Sequence, residues 1–283
     1  IYNQIEVLNE DYLRLNADTV NTRADFLPVA GNANIQFFLA DVDPQGNPTN
    51  GIVRTQTTET SFGSFIDLTA LDNIKRTADG GSDSWDTDNY LNIWVGDLSI
   101  DLLGQQIPGI LGFAYPPAGA PNWPAGQNAP APELEGVVVH YEVFGRNNIL
   151  ASGPLAVVGE GRTCTHEVGH YLGLRHTWGD GQGGNGCSVD DGIDDTPNTA
   201  SAQQQTCNPN ANSCTDTPVD LPDQIENFMD YSDESCMNMF TKGQVGIMRI
   251  AALDLRPDLA VDTIPPTYEY PGGTLVVDSS NIE

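Results

Sequence analysis

The sequence predicts an α+β fold in which helices pack on a mixed β-sheet. Apolar residues recur at helical spacing at the start of the chain and again after residue 241. Between these two segments, apolar and β-branched runs alternate with turn-rich connections, a pattern typical of strands. The five predicted strands are NIQFFLA (34–40), GIVRTQTT (51–58), YLNIWVGDL (90–98), ILGFAY (110–115) and GVVVHYEVF (136–144).

Both predicted helices carry start signals. Asn3 and Glu6 in the first helix, and Thr241 and Gln244 in the last, have the spacing of a capping box. Pro257 is expected to end the last helix, because proline has no backbone N–H to donate to a helix hydrogen bond. The predicted apolar faces comprise Ile5, Leu8, Tyr12 and Leu15 in the first helix, and Val245, Met248, Ala252 and Leu255 in the last.

Three segments lack the pattern of regular structure. The proline-rich stretch 116–132 is predicted to be a long loop between two strands. The Gly-, Asn- and Asp-rich sequence that follows residue 176 has few apolar residues, so we expect disulfides and ions to hold it instead of a core. The last residues, 259–283, are predicted to be an extended tail or linker.

Charge and composition exclude several classes of protein. Lys and Arg total 11 against 39 Asp and Glu, and the net charge of −28 would repel nucleic acid and anionic membranes. No apolar run is long enough to span a bilayer. The chain opens within structured protein, so we expect a signal peptide and a pro-segment upstream of residue 1. These features indicate a secreted protein.

The cysteines also indicate an oxidising compartment. Four of the five lie in the polar stretch after residue 176, without the C-x-x-C spacing of a zinc ribbon. Disulfides suit them better. Sequence leaves three pairings open among these four, which are Cys187, Cys207, Cys214 and Cys236.

The segment HEVGHYLGLRH (166–176) holds three of the four histidines of the chain. His166 and His170 are four residues apart, so a helix places both rings on one face. Gly173 can take a positive φ and end the helix, which lets His176 return to the same point. Three imidazoles with one open position form a catalytic zinc site.

Glu167 is predicted to be the general base, because it lies beside the first histidine without being a ligand. It would take a proton from water that attacks a carbonyl and pass it to the leaving amine. The alternative is that the histidines are ordinary surface or core residues, as a bare HExxH often is. The added glycine and third histidine favour the zinc site.

HEVGHYLGLRH resembles the HExxHxxGxxH signature of the metzincin metallopeptidases. NFMDYS (227–232) resembles their Met-turn, with Met229 as the methionine, although Met229 could instead be an ordinary core residue. THEVGHYLGLRHTWGD, DDGIDDTP and ENFMDYSDESCMNMFTKGQ are similar to the pappalysin family within that group. The resemblance implies a two-lobed catalytic domain over 1–258. The upper lobe (1–173) would hold a five-stranded twisted sheet and the active-site helix, and the lower lobe (174–258) would be irregular, disulfide-stapled and closed by the C-terminal helix.

The resemblance also assigns roles to single residues. Tyr231 matches a tyrosine that stabilises the tetrahedral intermediate, although it could instead only pack. The related bacterial enzymes imply the disulfides Cys187–Cys214 and Cys207–Cys236. Cys164 would then be an unpaired thiol facing the core.

Calcium is implied for SVDDGIDDTP (188–197) by the same resemblance. Asp191 and Thr196 are the preferred side-chain ligands, joined by Asp194 or Asp195. The alternative is a solvated acidic loop.

The substrate is expected to be a protein or peptide. It would lie extended along an edge strand at 110–115. Ser235 stands where relatives that cut before Arg or Lys keep an aspartate, so a weaker preference for basic P1′ residues is expected unless Asp233 or Glu234 compensates.

The function predicted from these residues is a secreted, monomeric zinc endopeptidase with one zinc ion per chain and structural calcium. The alternative is an inactive binding or adhesion module that carries zinc and calcium. His140, the remaining histidine, receives no role.

Overall fold

The computed structural model describes residues 1–64, 68–103, 105–180, 185–259, 269–270 and 273–274. Over these ranges the chain forms helices α1 (Tyr2–Tyr12), α2 (Arg162–Tyr171) and α3 (Lys242–Ile250), and α3 continues into a π-helical turn (Ala251–Leu255). The strands are β1 (Ala30–Gly31), β2 (Ile93–Gly96), β3 (Ser99–Leu102), β4 (Gln105–Pro108), β5 (Gly112–Ala114), β6 (Val137–His140), β7 (Phe240–Thr241), β8 (Glu269–Tyr270) and β9 (Gly273–Thr274). Short 3₁₀ helices cover Ala17–Asn21, Leu68–Lys75, Thr77–Asp79, Pro132–Leu134, Tyr141–Val143, Gly153–Val158, Gly186–Ser188 and Pro257–Leu259.

The central sheet has the strand order β2-β6-β5. β2 pairs with β6 in parallel and β5 pairs with β6 antiparallel, so the predicted α+β class with a mixed sheet is confirmed. All four residues of β6 are buried, as expected for a middle strand covered on both faces. β5 lies at the edge of this sheet and packs against α2.

The strands predicted over 34–40 and 51–58 are not confirmed. Both segments are described, and neither forms strand hydrogen bonds. The alternating apolar residues of 34–40 still pack against the core. However, the Asn9 side chain of α1 accepts from the Phe37 N–H (2.7 Å) and donates to the Phe37 carbonyl (2.9 Å). A helix side chain thus replaces a neighbouring strand, and the described sheet has three strands instead of five.

Helix α1 is confirmed, but its predicted capping box is wrong. Ile1 is the N-cap and makes no side-chain cap hydrogen bond. The Asn3 side chain instead accepts a hydrogen bond from the Arg146 N–H (2.6 Å), so it joins the helix to a distant loop. Leu15 lies beyond the helix end and is exposed. The buried face of α1 packs on α2.

The capping box of α3 is confirmed. The Gln244 N–H donates to the Thr241 hydroxyl (3.1 Å), and the Thr241 N–H donates to the Gln244 side chain (2.8 Å). Met248, on the predicted apolar face, is completely buried.

Between α2 and α3 the chain has little regular structure. Disulfides join Cys187 to Cys214 and Cys207 to Cys236, the pairing that the resemblance implies. Cys164 is a buried free thiol within the main hydrophobic core. Of the predicted tail, β8 and β9 form an antiparallel pair, and most of 259–283 lies outside the described residues. Among the described residues, no helix has the length and apolar character needed to cross a bilayer.

Candidate active site

Helix α2 carries His166 and His170 on one face, with their ring centroids 4.6 Å apart. The helix ends in a Schellman motif at Gly173, whose φ is +89°. The Gly173 N–H donates to the His170 carbonyl (2.8 Å) and the Leu174 N–H donates to the Gly169 carbonyl (2.9 Å). A Cβ on Gly173 would meet only ordinary contacts, the nearest at 3.4 Å, so backbone conformation and not space requires the glycine.

The turn at Gly173 brings the third histidine back to the helix. One ring nitrogen from each of His166, His170 and His176 lies within 4.8 Å of the others. The Nε2 atoms of His170 and His176 are 3.1 Å apart. The structure therefore brings together the three residues that the sequence predicts as zinc ligands.

The opposite nitrogen of each ring is held by a protein acceptor. His166 Nδ1 donates to the Phe228 carbonyl (2.7 Å) and His170 Nδ1 donates to the Leu174 carbonyl (2.8 Å). His176 Nδ1 donates to the Asp180 carboxylate. Because carbonyls and carboxylates only accept, each Nδ1 carries the proton and each Nε2 presents a lone pair.

These lone pairs fit a divalent cation. His166 Nε2 is buried and has no hydrogen-bond partner, and the Nε2 lone pairs of His170 and His176 face each other at short range. Burial and the neighbouring imidazoles lower the pKa of His166 well below its ordinary value and that of His170 to about 3, so both rings are neutral ligands. A three-imidazole set of this kind is typical of catalytic zinc.

Glu167 lies beside this histidine set and is buried. Its burial raises the pKa of the carboxyl to about 8, a shift that a nearby cation would oppose. The edge strand β5 runs directly against its side chain. A Cβ built on Gly112 would lie 2.7 Å from Glu167 Cγ and 2.9 Å from its Oε1.

The segment resembling a Met-turn lies under α2. The Asp230 N–H donates to the Asn227 carbonyl (3.1 Å), and the Met229 N–H donates to the Asn227 side chain (2.9 Å). Met229 is completely buried, and a Cβ on Gly169 would lie 2.5 Å from its Sδ. The methionine therefore packs against α2 at Gly169, the residue before His170.

Tyr231 borders the histidine set from the Met-turn side. Its ring centroid is 4.9 Å from that of His176 and 5.3 Å from that of His166, and the residue is 44% exposed. Desolvation and the nearby Glu167 and Asp180 carboxylates raise the pKa of its hydroxyl, which is therefore a hydrogen-bond donor at neutral pH.

Three residues of the site were not predicted from the sequence. Trp178 stacks on His176 with centroids 4.2 Å apart and planes 7° apart, and Trp123 meets His170 edge-on at 6.1 Å. Asp180 holds the His176 ring. The signal that could have revealed Asp180 is a carboxylate placed shortly after a histidine ligand, since such ligands are often oriented by carboxylates.

The predicted calcium residues lie in one turn but take different partners. Asp191 is buried and accepts from the Ile193 N–H (3.0 Å) and the Thr196 hydroxyl (2.9 Å). Burial raises the pKa of Asp191 to about 8. Asp195 accepts from the N–H of residue 243 at the start of α3 (2.9 Å), and Asp194 is exposed.

Ser235, the predicted pocket residue, is exposed. Its neighbour Glu234 is buried and accepts from the Glu160 N–H (2.7 Å) and the Thr163 N–H (2.6 Å) at the start of α2. Glu234 therefore stabilises the active-site helix and is not free to bind a substrate. Asp233 accepts from the Ser235 N–H (2.9 Å).

Comparison with known proteins gives consistent results. Residues 154–253 match the model of the family Peptidase_M43, described as pregnancy-associated plasma protein-A. A solved structure of mature mirolysin from Tannerella forsythia in complex with a cleaved peptide is 42% identical, with a TM-score of 0.75, and the alignment covers 92% of this chain and 87% of that one. Promirolysin from the same organism aligns with a TM-score of 0.74 at 42% identity and covers 92% and 76% of the two chains.

Curated relatives are named extracellular metalloproteases. One from Arthroderma otae is 30% identical over 207 residues, which are 66% of this chain and 68% of the relative. One from Arthroderma benhamiae is 39% identical over 129 residues, and this chain spans 42% of its length. The family match, these relatives and the mirolysin structure all indicate a metallopeptidase, for which a set of three histidines is a suitable metal site. The chain belongs to the pappalysin family of metzincin metallopeptidases.

Proposed function

We propose that this protein is a secreted zinc endopeptidase that hydrolyses peptide bonds in proteins. The observation that carries the proposal is the convergence of three imidazoles, each with its Nδ1 bonded to a protein acceptor and its Nε2 left to face a metal ion, beside the buried Glu167. His166, His170 and His176 would hold one zinc ion per chain. Zinc held by three imidazoles supplies a Lewis acid that polarises a peptide carbonyl and makes water a better nucleophile.

The chain's own residues would handle the protons and the developing charge. Glu167 takes the proton of the attacking water and delivers it to the leaving amine. Burial raises the pKa of this carboxyl and a bound cation would lower it again, so the metal would favour the carboxylate form that accepts the proton. The Tyr231 hydroxyl, still protonated at that pH, donates a hydrogen bond to the oxyanion that forms on the carbonyl. Met229 is completely buried and packs against the active-site helix at Gly169.

The substrate would be an extended protein or peptide segment. β5 is an edge strand, and its Gly112 lies against Glu167, so a strand added there would pass the general base. The mirolysin structure that resembles this chain holds a cleaved peptide, which supports a peptide substrate. We infer that the protein acts as a monomer, because one chain supplies all the residues of this site.

Secretion is supported by three observations. The curated relatives are named extracellular, two disulfides join the segment after α2, and the net charge is −28. We infer that the catalytic domain covers residues 1–258, with an upper lobe (1–173) and a lower lobe (174–258) that meet at the histidine set. The division falls at Gly173, where α2 ends and regular structure gives way to disulfide-linked loops.

We also propose one structural calcium ion near Asp191. That carboxylate is buried with a pKa raised to about 8, which is costly unless a cation or proton accompanies it. The Thr196 hydroxyl is next to it (2.9 Å), and Asp194 or Asp195 would complete the side-chain ligands.

The rival function is a binding or adhesion module that holds zinc and calcium without catalysis. Digestion of casein by purified protein, blocked by a zinc chelator and restored by zinc, distinguishes the two. In zinc-loaded protein, Glu167→Ala is expected to keep its metal and to lose activity by at least about 10²- to 10⁴-fold. Full activity of this variant at equal zinc content would refute the mechanism, and an inactive wild type with full zinc would favour the binding module.

A further inference from the structure

His176 is held differently from the other two histidines. His166 and His170 lie within α2, and their Nδ1 atoms donate to backbone carbonyls. His176 lies in the loop beyond Gly173, and its Nδ1 donates to a side chain, the carboxylate of Asp180. The orientation of this one ring therefore depends on residues that substitution can remove.

Asp180 occupies a backbone conformation that its side chain alone would not favour. Its φ is +57°, in the left-handed region that suits glycine or asparagine. Arg175 donates from Nε to the second carboxylate oxygen (3.3 Å) and also binds the Asp190 carbonyl (2.9 Å). One carboxylate thus bridges the His176 ring and an anchored guanidinium. A non-glycine residue kept in this region near a site often signals function.

Trp178 supports the same ring from its face. The indole and imidazole planes are 7° apart with centroids 4.2 Å apart, and Trp178 is buried. Tyr231 packs edge-on against Trp178 at 4.9 Å. The Gly179 N–H donates to the His176 carbonyl (2.8 Å), so the loop closes tightly around its own histidine.

We infer that Trp178 and Asp180 form a ring clamp that fixes the plane and the tautomer of His176, so that its Nε2 is aimed at the cation bound by the three histidines. Trp178 sets the plane of the ring by stacking, and Asp180 keeps the proton on Nδ1. Both are positioning residues, and the inference rests on the proposed zinc site. Carboxylates that orient histidine ligands typically raise metal affinity by about 10- to 100-fold.

The test measures zinc affinity by competition with a chromophoric chelator, together with the thermal midpoint of the metal-free protein. Asp180→Asn and Asp180→Gly are expected to weaken zinc binding by about 10- to 100-fold, with the larger loss in the glycine variant. Their metal-free thermal midpoints should equal or exceed that of the wild type, because asparagine and glycine suit a φ of +57° better. A merely structural aspartate would lower the midpoint on substitution and leave zinc affinity intact.

Trp178 provides an independent pair of variants. Trp178→Phe keeps an aromatic ring over His176 and should retain zinc affinity to within about threefold, whereas Trp178→Ala should lose about tenfold. Asp25→Asn serves as the control, since it removes one negative charge from an exposed aspartate outside the site. If the Asp180 variants fail to fold, the zinc affinities of Trp178→Phe and Trp178→Ala test the ring clamp on their own.

Zinc affinity within twofold of wild type in Asp180→Asn, Asp180→Gly and Trp178→Ala would overturn the ring clamp. Peptide cleavage is measured separately. A wild type that binds zinc tightly but cleaves nothing contradicts the proposed function and leaves the clamp to be judged by affinity alone. A wild type that cleaves, together with clamp variants of unchanged affinity, contradicts only the clamp.

Discussion

Gly112 of the edge strand lies in direct contact with Glu167, so closely that a Cβ would be 2.7 Å from its Cγ and 2.8 Å from the Val138 carbonyl oxygen. The Val138 carbonyl belongs to the sheet backbone and cannot move aside. A methyl group at this position must therefore displace the carboxylate. The contact ties the position of the edge strand to the position of the proposed general base.

Gly112→Ala is expected to lower kcat by about 100-fold while zinc affinity stays within twofold of wild type, because a displacement near 1 Å is enough to cost that much. Steady-state peptide hydrolysis and chelator competition measure the two quantities. Gly246→Ala is the matched control, since a Cβ there meets nothing within 4 Å. A Gly112→Ala enzyme with unchanged kcat would show that the contact has no part in catalysis.

Glu234→Ala is expected to destabilise the protein by about 1–3 kcal/mol, since it leaves donors at the start of α2 unpaired. Gly161, the N-cap residue of α2, has no side chain that could replace it. Urea unfolding at fixed zinc concentration measures the change. Glu133→Ala, at an exposed site, should shift the free energy of unfolding by less than about 0.5 kcal/mol. Equal effects of the two variants would contradict the capping role.

The buried Asp11 makes stability depend on pH. Burial raises the pKa of its carboxyl to about 7, although the charge of Arg162 and a hydrogen bond from Thr165 oppose the shift. Since the folded state binds this proton more tightly than the unfolded state, Asp11 contributes stability below pH 4 that is lost as the pH rises to about 7. Asp11→Asn should lack this component. Unfolding free energies of both proteins at pH 4, 5.5 and 7 give the difference, and parallel curves would contradict it.

Removal of calcium at constant free zinc is expected to lower the thermal midpoint, because the Asp191 carboxylate would then stay buried without a counter-ion. Asp191→Asn should lose most of this calcium dependence, since an uncharged side chain needs no cation. Differential scanning calorimetry in zinc buffers with and without calcium makes the comparison. An unchanged wild-type midpoint removes calcium from the description of this loop.

The residue at position 235 is expected to influence which substrate residue is preferred at P1′, directly after the cleaved bond. Ser235→Asp should increase cleavage before Arg and Lys, because a carboxylate can pair with a cation and a hydroxyl cannot. Glu234 is occupied by α2 and cannot substitute for it. Ser235→Asn keeps the size without the charge. Cleavage profiles of a peptide library report the change, and a wild type that already cuts mainly before Arg would contradict this prediction.

Local sequence signals predicted much of this fold and site. The capping box at Thr241, the helical spacing of His166 and His170 and the glycine at 173 each act within a few residues, so their geometry follows from the chain itself. The apolar residues that suggested a strand over 34–40, namely Ile35, Phe37 and Leu39, do pack against the core. The sequence pattern could not indicate that the side chain of Asn9, in α1, would hydrogen-bond the backbone N–H and carbonyl of Phe37, which a neighbouring strand would otherwise use.

The residues that hold the site in place were harder to predict, because their contacts also depend on how the whole chain folds. Glu234 lies 71 residues after Thr163, whose N–H donates to it at the start of α2. No periodic pattern in the sequence links the two residues. Asp180 is close to His176 in sequence, but its role depends on a left-handed backbone that few aspartates adopt. Long-range polar contacts of this kind become visible only when the chain is folded.

The three Nδ1 hydrogen bonds have a practical consequence for handling the enzyme. Since protein acceptors orient every imidazole, the direction in which each Nε2 points is set by the chain as well as by any bound metal. Inactivation by a zinc-selective chelator should therefore be reversed when zinc is restored. Cobalt or cadmium should then bind to the three histidines in place of zinc. Either ion would allow the reaction to be followed by spectroscopy, which the spectroscopically silent zinc ion does not.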